Sequence, residues 1–240
     1  MSTPFALREL AGDEQAAIVE RLERAGRVQI RSVLAGDGAD RLLTEARERT
    51  PFQTVTTNSR GQVDLPQAWL DSLTVEQRRE FGQAIHESAA ERFQYLYDTH
   101  PIWDLQQVGK LKGLWRDLLA FLNSEAFLGL MRMLTGEDRI AMADAQVTRY
   151  RRGSFLTGHT DHADGKDRYY AYVLNLTPAW RIEWGGLLMF HGDDGHVAEA
   201  FVPTMGALNL LRVPQPHSVS QVSLSAGDDR ISVTGWLRGS

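Results

Sequence analysis

Apolar residues recur with different periods in the two halves of the chain. In residues 13–26, Ile18, Leu22 and Ala25 recur at helical spacing and Gly26 stops the run, which predicts an amphipathic helix. A short β-like segment spans Val28 to Val33, and residues 38–49 are helical again. Residues 52–64 alternate as a hairpin does, with Asn58 to Gly61 at the turn. A long helix is expected from Val75 to Tyr97, with Thr74 as N-cap and Glu76 and Gln77 in its first turn. Two more helices fill 112–134, broken near Asn123-Ser124. From Ile140 the texture changes to short runs parted by turn residues: AQVTRY, YYAYVLNL, GGLLMF, HVAEAFV, ALNLLRV, HSVSQVSL and RISVTGWL. Seven such runs in succession are the pattern of a β-sandwich or barrel. With no repeat and no Ser/Gly-rich linker, the expectation is one α+β domain over 1–240. Residues 1–139 form a mainly helical support packed on one sheet, and 140–240 the strand-built core.

Composition narrows the chemistry. At 240 residues the chain can bury roughly 70% of its unfolded surface, enough for a full core. The absence of cysteine excludes disulfides, Cys-ligated zinc, iron–sulfur clusters and thiol nucleophiles. A net charge of -5 argues against a nucleic-acid partner, which wants a basic face. No apolar run approaches the ~18 residues of a membrane span. The first 26 residues carry acids early and no apolar stretch, so a cytoplasmic rather than secreted protein is expected. There is no G-x-S-x-G elbow, no Walker loop and no G-x-G-x-x-G after a strand, which leaves hydrolase, NTPase and dinucleotide readings unsupported.

The informative polar residues are in the β half. His159 and Asp161 are spaced i, i+2, which on a strand sends both side chains to one face. His217 stands in a later strand that antiparallel connections can bring opposite them. Two imidazoles and one carboxylate on one side of a metal, with open positions on the other, are the ligand set of a non-haem Fe(II) oxygenase. Alternation in 230–237 puts Arg230, Ser232, Thr234 and Trp236 on one strand face and Ile231 and Val233 on the other. An Arg directed into a barrel needs an anion, because an unpaired buried guanidinium is very costly, and its fork suits a carboxylate. Ser232 adds a hydroxyl donor on the same face.

From Ala145 to Leu237 the order is Tyr150-x-x-Gly153, His159-x-Asp161, Tyr172-Val173-Leu174-Asn175, Gly185-Gly186-x-Leu188, Pro216-His217-x-Val219 and Arg230-x-Ser232-x-Thr234-Gly235-Trp236. This stretch resembles the Fe(II)/2-oxoglutarate-dependent dioxygenases, and within them the prolyl 4-hydroxylase-like branch. The resemblance implies a double-stranded β-helix, a jelly-roll barrel related to the cupins. It implies Fe(II) held by His159, Asp161 and His217, and 2-oxoglutarate held through Arg230, with O2 as the other cosubstrate and ascorbate as an accessory. Tyr150, Tyr172 and Ser232 are expected to line the cosubstrate pocket, and Leu188 and Trp236 its wall. The branch suggests hydroxylation of a prolyl residue in a protein or peptide. A free amino acid or small metabolite is the alternative, and the rival from another class is a cupin-like protein that binds metal without turnover, which has no need of Arg230. Nucleic-acid demethylation ranks low, because Trp236 stands where that branch carries a second Arg. Here His162 follows the His-x-Asp, where many prolyl hydroxylases have Asn or another small polar residue.

Other polar clusters read as bland. His191 and His196 flank an Asp-Gly hairpin turn, and Lys166 stands where a calcium loop starting at Asp161 needs Gly. His86 and His100 carry no motif. Trp69, Trp103 and Trp115 are expected to anchor helices to the barrel. Residues 52–64 and 151–168 are expected as mobile loops at the barrel mouth that select substrate, with Arg151, Arg152 and Lys166 meeting an acidic peptide or carboxylate.

Overall fold

The computed structural model describes residues 4–239. Helix α1 (Gly12–Ala25) buries Ile18 and Leu22 and ends at Gly26, whose left-handed φ of 67° lets its N–H reach the Leu22 carbonyl. Strand β1 (Arg27–Ile30) and helix α2 (Gly38–Glu48) follow. Strands β2 (Gln53–Asn58) and β3 (Gly61–Leu65) form the expected hairpin. Next come α3 (Gln67–Ser72) and α4 (Val75–Glu91), the latter opened by a reciprocal Thr74–Gln77 capping box.

Helix α4 stops at Glu91 rather than Tyr97, and the remainder of that segment becomes strand β4 (Tyr95–His100). The helix buries only Ile85, whereas β4 gains backbone pairing on both sides, so tertiary pairing outweighs local helix propensity. Helices α5 (Ile102–Gln107), α6 (Gly113–Leu122) and α7 (Glu125–Thr135) lead into β5 (Met142–Ala143), β6 (Gln146–Tyr150), β7 (Phe155–His159) and β8 (Arg168–Asn175). Strands β9 (Leu188–His191), β10 (Val197–Phe201), β11 (Leu208–Arg212), β12 (His217–Val219) and β13 (Arg230–Arg238) complete the chain.

The strands form a double-stranded β-helix of two facing antiparallel layers. One layer runs β6-β13-β8-β11 with β1 at its edge, and the other runs β7-β12-β9-β10. Strand β4 joins them between β6 and β7, and the β2–β3 hairpin hangs from β4. The strand-built core therefore does not begin at residue 140, since β1 to β4 all come from the region expected to be helical support. Likewise, β7 lies within the expected loop 151–168.

Helices cover the outer face of the β6-β13-β8-β11 layer. Leu22, Trp115, Leu118, Phe127 and Met131 pack there against Tyr170, Leu174, Ile231 and Val233, each fully buried side chain contributing ~1.5–3 kcal/mol. The inner face packs Tyr150, Ala171, Val173, Leu188, Phe190 and Val219. Trp115 sits in the helix-side core and donates to Thr50 Oγ1 at 2.9 Å, and Trp103 packs on that core. Trp69 does not anchor to the barrel. It is 40% exposed and meets Phe81 edge-on, joining α3 to α4.

Candidate metal centre

Antiparallel pairing of β12 with β7 sets His217 directly opposite His159. Asp161 lies beyond the end of β7, in a left-handed conformation with φ 61°. The i, i+2 strand geometry expected from the sequence is thus replaced by a turn, which Asp tolerates better than most residues. That turn brings Asp161 Oδ1 to 3.4 Å from His159 Nε2 and Oδ2 to 3.4 Å from His217 Nε2. One ligand atom from each of the three lies within 4.8 Å of the others.

Backbone carbonyls fix the tautomers. His159 Nδ1 is 3.0 Å from the Thr157 carbonyl, and His217 Nδ1 is 2.8 Å from the Gln215 carbonyl. A carbonyl only accepts, so each Nδ1 carries the proton and each Nε2 turns a lone pair toward Asp161. Burial pushes the Asp161 carboxyl up, but with the imidazoles protonated the His159 hydrogen bond and the charges of His217 and His159 outweigh it and hold the group below its usual value. Burial, then His159, lowers His217 and favours its neutral form. One carboxylate and two imidazole lone pairs converging on one point fit a divalent iron, with nothing softer than nitrogen in the set.

The triad opens into a cavity of about 620 Å³. Arg230 lines it, only 2% exposed, and pairs across the layer with Tyr150 in β6. Its guanidinium lies 5.0 Å from the Tyr150 ring, and its Nε and one Nη have no hydrogen-bond partner. Among the described residues no carboxylate forms an ion pair with it, and burial lowers its pKa. An uncompensated buried cation directed into a cavity fits a ligand carboxylate, as 2-oxoglutarate provides. Ser232 shares the cavity wall, its hydroxyl 2.9 Å from Thr148 Oγ1. Burial raises the Tyr150 hydroxyl, which the Arg230 charge partly offsets. Leu188 and Trp236 also line the cavity.

Tyr172 also lines the cavity, but its hydroxyl is not offered to a ligand there. It is fully buried, donates its hydroxyl to the Asp144 carbonyl at 2.7 Å, and meets Phe127 edge-on on the helix side. In β8 it is Ala171 and Val173 that face the barrel interior. The cations of 151–168 are also redirected. Arg151 binds Asp98, and Arg152 Nε donates to the Ala226 carbonyl at 2.7 Å. Both line a second cavity of about 500 Å³ beneath α3 and α4, which shares Tyr97 with the first. Lys166 is exposed. The 52–64 hairpin reaches the cavity rim through Tyr95, whose hydroxyl is 3.4 Å from Gln62 Oε1.

Two features of the cavity have no counterpart in the sequence reading. Arg168 lies 3.5 Å over the Trp236 ring and donates to the Asp161 carbonyl at 3.1 Å. Phe93, Tyr95 and Tyr97 form a wall near and along β4. No alternation marks them, because Tyr95, Leu96 and Tyr97 continue the apolar run of the expected helix.

Residues 145–238 match the family model of the 2OG-Fe(II) oxygenase superfamily. Prolyl 3-hydroxylase OGFOD1 of Xenopus laevis is 32% identical over 122 residues, 48% of this chain and 23% of that protein. The chain thus spans less than a quarter of that relative's length. A Pseudomonas putida prolyl-4-hydroxylase structure shares the fold with a TM-score of 0.59 at 21% identity, over 94% of this chain and 99% of that one. So does a Trichoplax adhaerens prolyl hydroxylase in complex with a hypoxia inducible factor peptide fragment, with a TM-score of 0.61 at 16% identity, covering 94% and 89%.

Proposed function

We propose that the chain is a 2OG-Fe(II) oxygenase of the prolyl 4-hydroxylase-like branch, as the family match over residues 145–238 supports, and that it hydroxylates a C–H bond of a prolyl residue in a protein or peptide. The observation that carries this is the union, in one cavity, of the His159–Asp161–His217 triad with the unpaired Arg230 guanidinium. A protein that merely stored metal would have no use for that cation. The prolyl substrate is supported by the names of the relatives and structural neighbours.

His159, Asp161 and His217 would hold the iron, which when bound couples oxidative decarboxylation of 2-oxoglutarate to succinate and CO2 with insertion of one oxygen atom into the substrate. Arg230 grips the distal carboxylate of 2-oxoglutarate, with Ser232 on the same strand face. The Thr157 and Gln215 carbonyls keep the imidazoles in the ligating tautomer. Apolar walls from Leu188, Val219 and Ala171 exclude bulk water from the reacting centre. Ascorbate, implied by the branch, belongs to the same proposal.

The test is a panel of proline-containing peptides, free amino acids and small metabolites, scored for substrate-stimulated succinate release by the iron-loaded protein. Stimulation by proline-containing peptides is expected, and stimulation by free amino acids alone would replace the substrate assignment. Asp161→Ala should lower iron affinity by more than about 100-fold, the upper end of what loss of an outer hydrogen-bond partner costs. Unchanged iron content would overturn the triad.

A further inference from the structure

Phe93, in the turn between α4 and β4, leaves 46% of its surface exposed. Its ring nonetheless lies 5.6 Å from the ring of His159 and 5.7 Å from that of Tyr95. Tyr95 leans on Tyr97 at 5.3 Å, and Tyr97 stacks on Tyr150 at 5.1 Å and 17°. Four rings therefore run unbroken along one cavity wall, from solvent to the ring facing Arg230. Tyr95 and Tyr150 are buried and are explained as core packing. Phe93 is different, because it lends the barrel little burial yet abuts a metal ligand at the cavity mouth. A single exposed apolar side chain is ordinary on a surface, but not one that lines a reaction cavity beside its metal triad.

Resting on the prolyl hydroxylase reading, we propose that Phe93 is a specificity-determining residue that packs against the pyrrolidine ring of the substrate prolyl residue. A prolyl ring whose C–H is set beside the triad lies within contact range of a side chain packed against His159. Proline suits this wall. It has no N–H to satisfy, is preorganised in an extended conformation, and docks on aromatic-lined surfaces. A small charged metabolite would gain nothing from Phe93.

The experiment compares wild type, Phe93→Ala and Phe93→Trp on a library of proline-centred peptides. Binding is titrated without oxygen, and kinetics are run in parallel. Phe93→Ala should raise Kd and KM about tenfold, the size of one aromatic contact, with kcat within about twofold. Phe93→Trp should restore both, and iron content and 2-oxoglutarate affinity should hold within about twofold in each variant. Unchanged Kd and KM in Phe93→Ala, with wild type hydroxylating the peptides, would overturn this inference and leave the prolyl hydroxylase reading intact. Loss of iron or 2-oxoglutarate affinity would instead make Phe93 a prop for His159. A wild type that turns over none of the peptides would overturn both readings.

Discussion

Replacing Arg230 by Met should separate binding from stability. The side chain is 2% exposed, two of its nitrogens have no partner, and no carboxylate of the described residues compensates its charge. Met keeps much of the volume and removes the buried cation. Exchanging buried ionic groups for well-packed apolar ones is often neutral or stabilising by ~1–4 kcal/mol. The ligand-free protein should therefore melt at the same temperature or higher, by up to ~16 °C at ~2–4 °C per kcal/mol for a chain of this size. For 2-oxoglutarate the effect is opposite. Truncating one partner of a buried charge pair costs ~2–5 kcal/mol, or roughly 30- to 4,000-fold in Kd. Wild type at a ligand concentration ~100 times Kd gains ~2.7 kcal/mol, a rise of ~5–10 °C, which the variant should lose. Thermal melts with and without 2-oxoglutarate, and calorimetric titration, read both quantities. Retained 2-oxoglutarate affinity, or a large drop in the ligand-free melting temperature, would refute the assignment of Arg230 as an anion clamp.

Two further outcomes follow from the packing and burial. A Cβ at Gly235 would lie 2.0 Å from the Asp144 carbonyl oxygen and 2.9 Å from Tyr172, so Gly235→Ala should destabilise by ~3 kcal/mol or fail to fold, read by urea denaturation; an unchanged midpoint would contradict that close approach. Burial holds His100 below the usual histidine pKa, so the unfolded chain takes up its proton first as pH falls. The His100 contribution is present above ~6.5 and is lost as pH falls from there toward the depressed folded value, so His100→Gln should flatten the pH dependence of the urea midpoint in that window.

Most strands after residue 140 were legible because their apolar or alternating runs end at turn residues, whereas β7 was not, since Phe155-Leu156-Thr157-Gly158-His159 sits among loop-like residues. Gly26 and Thr74 were legible because helix termination and capping are local chemistry. Strand β4 was not, since Tyr95, Leu96 and Tyr97 continue an apolar run with no Gly or Pro after α4, and their pairing partners β6 and β7 are distant in sequence. That one omission hid Asp98, the carboxylate that Arg151 pairs with inside the chain. Tyr172 borders the cavity, but strand phase turns its ring to the helix-covered face of β8, which takes the large residues while the barrel interior takes the small ones. The proximity of His159, Asp161 and His217 could be anticipated from residue type and order. The left-handed turn at Asp161 that achieves it could not, because Asp adopts that conformation without any flanking sequence mark.

The central claim is that the triad and Arg230 together support oxygen insertion into a prolyl residue. The most direct measurement is the ratio of succinate to hydroxyproline formed from a turned-over proline-containing peptide by iron-loaded protein. Equimolar products, absent without iron or without 2-oxoglutarate, are expected. Succinate formed with no oxygen added to the peptide, or no succinate from fully loaded protein, would contradict it.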